Sequence, residues 1–280
     1  MTGRGFARPI ASSRFPRWLI AIGLGVPLAL IALAALTDAP QSPQHPTRRH
    51  TNPGRDLPIR EPAFPQLNDA LVTLIEGEGA HFSAGADISE FGEVYRDAAA
   101  TRDYGDAVQD GLKALMDLDR PTIAVIRGVA VGGGLGLALA CDLRFCADDA
   151  HLAITPAKLG LIYGHAETRR LIELVGASRA KDLLFTARRI ETEEALAIGL
   201  IDRRIETALE ETVLDYARGL AGLSQVSIRS AKRAVDAIAA GMSQESPAFR
   251  ALAEAAALGP DFAEGRAAFA AKRATNFRRI

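Results

Sequence analysis

The chain has only two cysteines, Cys141 and Cys146, in 280 residues. That is too few for a disulfide scaffold or a cysteine-ligated zinc centre. The five histidines are scattered, without an HExxH or HxH pair, so no metal is expected. Neither sign of charge is in excess, with 33 Lys+Arg against 34 Asp+Glu. A general nucleic-acid binder needs a basic surplus to neutralise phosphates, so nucleic acid is not an expected partner. Free thiols make a cytoplasmic setting the default expectation. Against these absences, 48% of the residues are hydrophobic and 24% are charged and interspersed. Such a chain can bury a sizeable core and is not disordered throughout.

What is present is unevenly spread. Ten of the 14 prolines precede residue 66. Residues 1–65 carry eight Arg against Asp38, Asp56 and Glu61, a net +5, and the remainder, with 25 basic and 31 acidic residues, has a net −6. Three segments follow: a separate piece over 1–65, an α/β core over 66–206, and a helical region over 207–280. Residues 18–36 contain no charge. As a helix they would span about 28 Å, against about 30 Å for a bilayer core. Arg4, Arg8, Arg14 and Arg17 precede them and would hold the N-terminus in the cytoplasm. Three readings stand for this piece. It is an inner-membrane anchor, or a secretory signal with a poor cleavage site before Pro40, or a stretch read in a shifted frame of a GC-rich gene. The five Lys among 33 basic residues suit the last. Residues 37–65 are expected to be disordered, because their prolines block helix and sheet.

From Asn68 the periodicity is regular. Strands are expected at Ala70–Glu76, Thr122–Arg127, Leu143–Ala147, His151–Thr155 and Leu200–Ile205. Helices are expected at Tyr104–Leu118, Leu135–Ala140, Glu167–Val175, Ala180–Phe185 capped by Ser178, and Glu193–Ile198 capped by Thr192. After Ala208 only helices are expected, over 208–222, 226–240, 248–257 and 262–273. The class is α/β with an all-α end.

Two turns of small residues are candidates for chemistry. Phe82–Ile88 reads FSAGADI and Gly128–Gly136 reads GVAVGGGLG. Each follows a strand, and small side chains let a backbone N–H approach a ligand closely. The glycine run also opens a helix, where free N–H groups and the dipole favour negative charge. Each turn alone is equally an ordinary connection or a site of close packing. The run fits neither GxGxxG nor GxxxxGK[ST], so a nucleotide-phosphate loop is not expected. Together the turns offer two convergent donors, which a thioester carbonyl needs as it becomes an enolate.

With Phe82–Ile88 stand Gly128–Asp142 (GVAVGGGLGLALACD), Leu152–Arg170 (LAITPAKLGLIYGHAETRR), Leu184–Leu200 (LFTARRIETEEALAIGL) and Asp261–Arg273 (DFAEGRAAFAAKR). In order and spacing the chain resembles the crotonase family of enoyl-CoA hydratases and isomerases over residues 68–277. The resemblance implies a spiral of ββα units, incomplete here at its N-terminus, with an all-α C-terminal region that builds homotrimers or hexamers. It implies an acyl-CoA thioester as substrate, no separate cofactor, and an oxyanion hole from the N–H groups of Ala86 and Gly133. Ala84, Ala86, Asp87, Ile88, Ser89 and Gly133 would line the coenzyme A site.

The resemblance also expects two catalytic carboxylates, and by register Gly136 and Pro156 stand in those places. What remains nearby is Tyr163, His165 and Glu167, the three side-chain candidates for catalysis. The stretch TPAKLGLIY is similar to that of methylmalonyl-CoA decarboxylases, which carry a tyrosine in the place of Tyr163. Decarboxylation of a malonyl-type thioester and non-catalytic acyl-CoA binding therefore stand beside the hydratase or isomerase reading. Each candidate also has a plain structural reading: Tyr163 as a packed aromatic, His165 as a solvated helix start, Glu167 as a first-turn carboxylate favouring the helix dipole. Asp87 reads as a turn cap, the cysteines as buried hydrophobes, and His81 as an exposed loop residue.

Overall fold

Short runs of β-branched and apolar residues become strands where Pro or Gly bounds them. The computed structural model describes residues 70–277 together with the backbone of Ala34–Ala35. β1 (Ala34–Ala35) pairs antiparallel with β2 (Thr73–Glu76), Ala34 opposite Leu74. These two alanines are strand, not the helix expected there; the rest of the proposed 18–36 helix and of the 37–65 linker lies outside the described residues. β3 (Thr122–Ile126) is buried at every position. β4 (Val129–Val131), β5 (Leu143–Ala147), β6 (His151–Ala153), β7 (Arg189–Glu191) and β8 (Arg203–Ile205) follow. One sheet has the order β1-β2-β3-β5-β8 and the other β4-β6-β7. β5 and β8 run parallel, as do β4 and β6, while β7 is antiparallel to β6.

The described residues form two compact units. The first holds residues 75–117 and 124–207 and carries most strands, with α1 (Phe91–Val94), α2 (Ala98–Met116), α3 (Gly133–Ala140), α4 (Pro156–Leu159), α5 (His165–Thr186) and α6 (Thr192–Ala197). α2 begins earlier than its hydrophobic pattern indicates, because Asp97 accepts from the N–H groups of Ala99 and Ala100 and caps it there. α5 runs through both helices expected after Gly164. Its break is at Gly176, φ 77°, so Ser178 caps nothing. Thr192 opens α6, but its hydroxyl donates to the Asp148 carbonyl at 2.7 Å instead of capping. Arg144 is buried in this unit, paired with Asp202 at 2.7 Å and donating to the carbonyls of Cys141 and Leu200. A buried charge needs such pairing.

The second unit holds 70–74, 118–123 and 208–277 and is built on α7 (Leu209–Ala221), α8 (Gln225–Ala239), α9 (Pro247–Ala257) and α10 (Pro260–Ala270). Ser224 caps α8 and Ser246 caps α9, whose Pro247 fits the first helical turn. Arg229 pairs with Asp119 at 3.1 Å, and Arg120 donates to the Ala70 carbonyl. Among the described residues no helix is long and apolar enough to cross a membrane.

Candidate active site

A backbone ladder brings the two small-residue turns together. The N–H of Phe82 donates to Arg127 and that of Ser83 to Val129, and Ser83 accepts from Val131, each bond 2.9–3.0 Å long. The approach admits no side chains. Gly85 has φ 95°, and a Cβ on it would lie 2.7 Å from the Val131 carbonyl oxygen and 3.3 Å from the Gly133 nitrogen. A Cβ on Gly134 would overlap the Ser83 backbone. Gly132, at φ 55°, turns the chain from β4 into α3 and donates to the Ala153 carbonyl at 2.9 Å. Gly133 is thus the first residue of α3. Among the described residues the N–H groups of Ala86 and Gly133 donate to no backbone carbonyl. The free N–H of Gly133, at the start of α3, favours a negatively charged ligand atom.

Both residues line a cavity of about 320 Å³ in the first unit. Ala84 and Ile88 line it too; Asp87 and Ser89 do not. Asp87 Oδ1 accepts from the backbone N–H and the hydroxyl of Ser89, which holds its carboxyl below the usual range. It is a local cap, in agreement with the plainer expectation.

Glu167 and Tyr163 face the same cavity. Glu167, in the first turn of α5, is only 7% exposed, and its Oε2 accepts from Gln109 Nε2 at 2.8 Å. Its side chain fills the space that two glycines leave. A Cβ on Gly136 would lie 3.2 Å from Glu167 Cγ and 3.4 Å from the Tyr163 hydroxyl oxygen, and one on Gly164 would overlap the carboxyl group itself. The Tyr163 hydroxyl is buried and has no hydrogen-bond partner among the described residues. Burial first, then the neighbouring Glu167, raises its pKa far above the ordinary tyrosine value, so it is a neutral donor. His165 stands elsewhere: it is exposed at the start of α5 and does not line the cavity. Pro156, the other position at which a carboxylate was expected, lines it without a group to titrate.

Part of the remaining wall is aromatic. Phe91 meets Tyr95 edge to face at 5.1 Å, and Tyr95 meets Tyr104 at 5.4 Å. Burial, with Tyr95 next to it, pushes Tyr104 up to about 12. Three of the chain's four tyrosines thus line one cavity. Gln109 and Gly164 were not singled out from the sequence. Gln109 sits four residues after Gly105 and five after Tyr104, on the side of α2 that lines the cavity; that periodicity was the available signal. Among the described residues no cluster of His, Cys, Asp or Glu could hold a metal ion.

The free amide of Ala86 in its turn and that of Gly133 at a helix start line one cavity with a buried carboxyl and a neutral phenol, a set of groups able to accept negative charge and to exchange a proton. The Enoyl-CoA hydratase/isomerase family model matches residues 63–279, and the chain belongs to that family. It is 34% identical over 171 residues to a short-chain-enoyl-CoA hydratase of Clostridium acetobutylicum, covering 60% of this chain and 65% of that protein. A probable mitochondrial enoyl-CoA hydratase 2 of Arabidopsis thaliana is 35% identical over 215 residues, covering 74% and 69%. Among solved structures, a putative enoyl-CoA hydratase/isomerase family protein from Hyphomonas neptunium superposes with a TM-score of 0.72 at 39% identity, covering 76% of this chain and 82% of the other. The chain matches 65%, 62% and 50% of the length of three of its curated relatives. The crotonase-like fold expected from the resemblance is confirmed by these neighbours.

Proposed function

We propose that this protein is an acyl-CoA thioester enzyme of the hydratase/isomerase type, with Glu167 as its proton-transfer group. The thioester carbonyl accepts from the N–H groups of Ala86 and Gly133, which stabilise the oxyanion of the thioenolate. Glu167 takes or delivers a proton on the acyl chain, and neutral Tyr163 donates to an oxygen of the substrate or of water. The observation that carries this reading is the position of the Glu167 carboxyl. It fills the space beside Gly136, where the family resemblance expects a carboxylate. One carboxyl suffices for moving a proton between two carbons of an enoyl thioester, and adding water requires a second group, a part we give to the unpartnered Tyr163 hydroxyl. No separate cofactor is required by this chemistry.

Decarboxylation of a malonyl-type thioester is the weaker alternative. A second carboxylate in this cavity would lie near Glu167 and would find Gln109 already donating to it. The exposed Leu258 and Phe269 of the helical region support the accompanying proposal of a homotrimer or hexamer. The test is a panel of 2-enoyl-, 3-enoyl- and malonyl-type CoA thioesters with the wild type, Glu167→Gln and Tyr163→Phe. Turnover of an enoyl thioester that Glu167→Gln abolishes is expected. Release of CO2 from the malonyl type, unaffected by Glu167→Gln but lost in Tyr163→Phe, would overturn the assignment.

A further inference from the structure

The two carboxyl oxygens of Glu167 are not equivalent. Oε2 accepts from Gln109 at 2.8 Å and lies on the side of Gly164. Oε1 lies 3.9 Å from the Cβ position of Gly136, and the Tyr163 hydroxyl is 3.4 Å from that same point. Gln109 belongs to α2 and Glu167 to α5, so the bond ties two helices of the first unit at the cavity wall. The Gln109 amide presents its NH2 to Oε2. It has no acidic proton and cannot replace Glu167 in the chemistry.

We propose that Gln109 is the positioning residue for Glu167. By holding Oε2 it turns Oε1 toward Tyr163 and the reacting carbon, and makes Oε1 the atom that exchanges the proton. This rests on the reading of Glu167 as the proton-transfer group. Proton transfer needs heavy atoms within hydrogen-bond reach, and a carboxyl free to rotate about its last torsion spends little time there. Misplacement by about 1 Å can cost on the order of a hundredfold in rate.

The test uses the full chain and two variants. Gln109→Met keeps the length and removes the donor; Gln109→Asn keeps the amide but shortens its reach. Steady-state kinetics with 2-butenoyl-CoA are expected to show kcat lowered about ten- to a hundredfold in both. KM and the unfolding temperature are expected to stay close to wild type. A crystal structure of each variant supplies a readout that needs no turnover, with Glu167 Oε2 released and its carboxyl rotated or split between two orientations. An unmoved carboxyl in both variants would overturn the proposal, as would unchanged kcat, or a raised KM at unchanged kcat. If Gln109→Met is inactive and Glu167→Gln is fully active, the reading of Glu167 has failed. If Glu167→Gln is inactive and both Gln109 variants are unimpaired, only the role of Gln109 has failed.

Discussion

Glu167 packs against the bare face of Gly136: its Cγ is 3.2 Å from the Cβ that Gly136 lacks. Gly136 belongs to α3, and Glu167 reaches the same space from α5. The two positions therefore compete for one volume. A side chain at 136 would press on Glu167, which would have to give way.

This competition makes Gly136→Glu destabilising on its own, by about 1–3 kcal/mol as for other overpacked cores. Glu167→Gly empties the contested space, so the double variant should recover part of that loss. The coupling would be read from thermal or urea unfolding of the two singles and the double. Strict additivity would show that the two side chains do not share the volume.

Gly164 offers a cleaner way to move the carboxyl. Its backbone lies at φ −61°, ψ 152°, a region open to alanine. The three atoms nearest the Cβ of Gly164→Ala are the carboxyl end of the Glu167 side chain, which can swing aside. The fold should be kept, with an unfolding temperature within a few degrees of wild type, while enoyl-CoA turnover falls by about tenfold or more. Wild-type kcat in this variant would separate the carboxyl's position from catalysis.

Much of this was legible in the residues. The buried strand Thr122–Ile126 announces itself by a run of apolar β-branched residues between Pro121 and Gly128. The two small-residue turns were recognisable because glycine is required where backbones approach closely, as at Gly85 and Gly134. The α/β core and helical end followed from periodicity. Less visible was β4, three residues hidden in the glycine run and recruited to a sheet by β6. Tertiary pairing, not local pattern, decides such a strand. The role of Gln109 was hidden for a similar reason. Fifty-eight residues separate it from Glu167, and nothing in a helix pattern tells which distant side chain a glutamine will meet. His165, two residues from Glu167, points out because successive helical residues turn about 100° and do not share a face.

The proposed oxyanion donors can be tested without disturbing the helix. Gly133 is the first residue of α3, a position that tolerates proline because its N–H has no partner within the helix. Gly133→Pro removes that N–H and should reduce turnover by about a hundredfold or more, the usual consequence of losing one such donor. Circular dichroism and the unfolding temperature would confirm that the variant folds. A folded variant with an unchanged rate would remove Gly133 from the site.

Alkaline pH provides a test that involves no substrate. The Cys146 thiol, fully buried, is pushed by desolvation from 9.0 up to about 12, and burial moves Tyr104 from 10.0 to about 12. Both groups are neutral when protonated and become anions on titration. Between about pH 9 and 12 the unfolded chain has lost protons that the folded chain still holds. Stability therefore falls as pH rises through that window, and is unaffected by these groups below it. For Cys146 alone a shift of this size corresponds to about 4 kcal/mol once pH 12 is reached, as an order of magnitude. Urea midpoints measured from pH 8 to 11 should decline, most steeply above pH 9. In Cys146→Ala the decline should be shallower, starting from a midpoint already lowered by lost packing. A wild-type midpoint that holds level to pH 11 would mean that the thiol reaches solvent, and that the core around β5 opens more readily than its burial indicates.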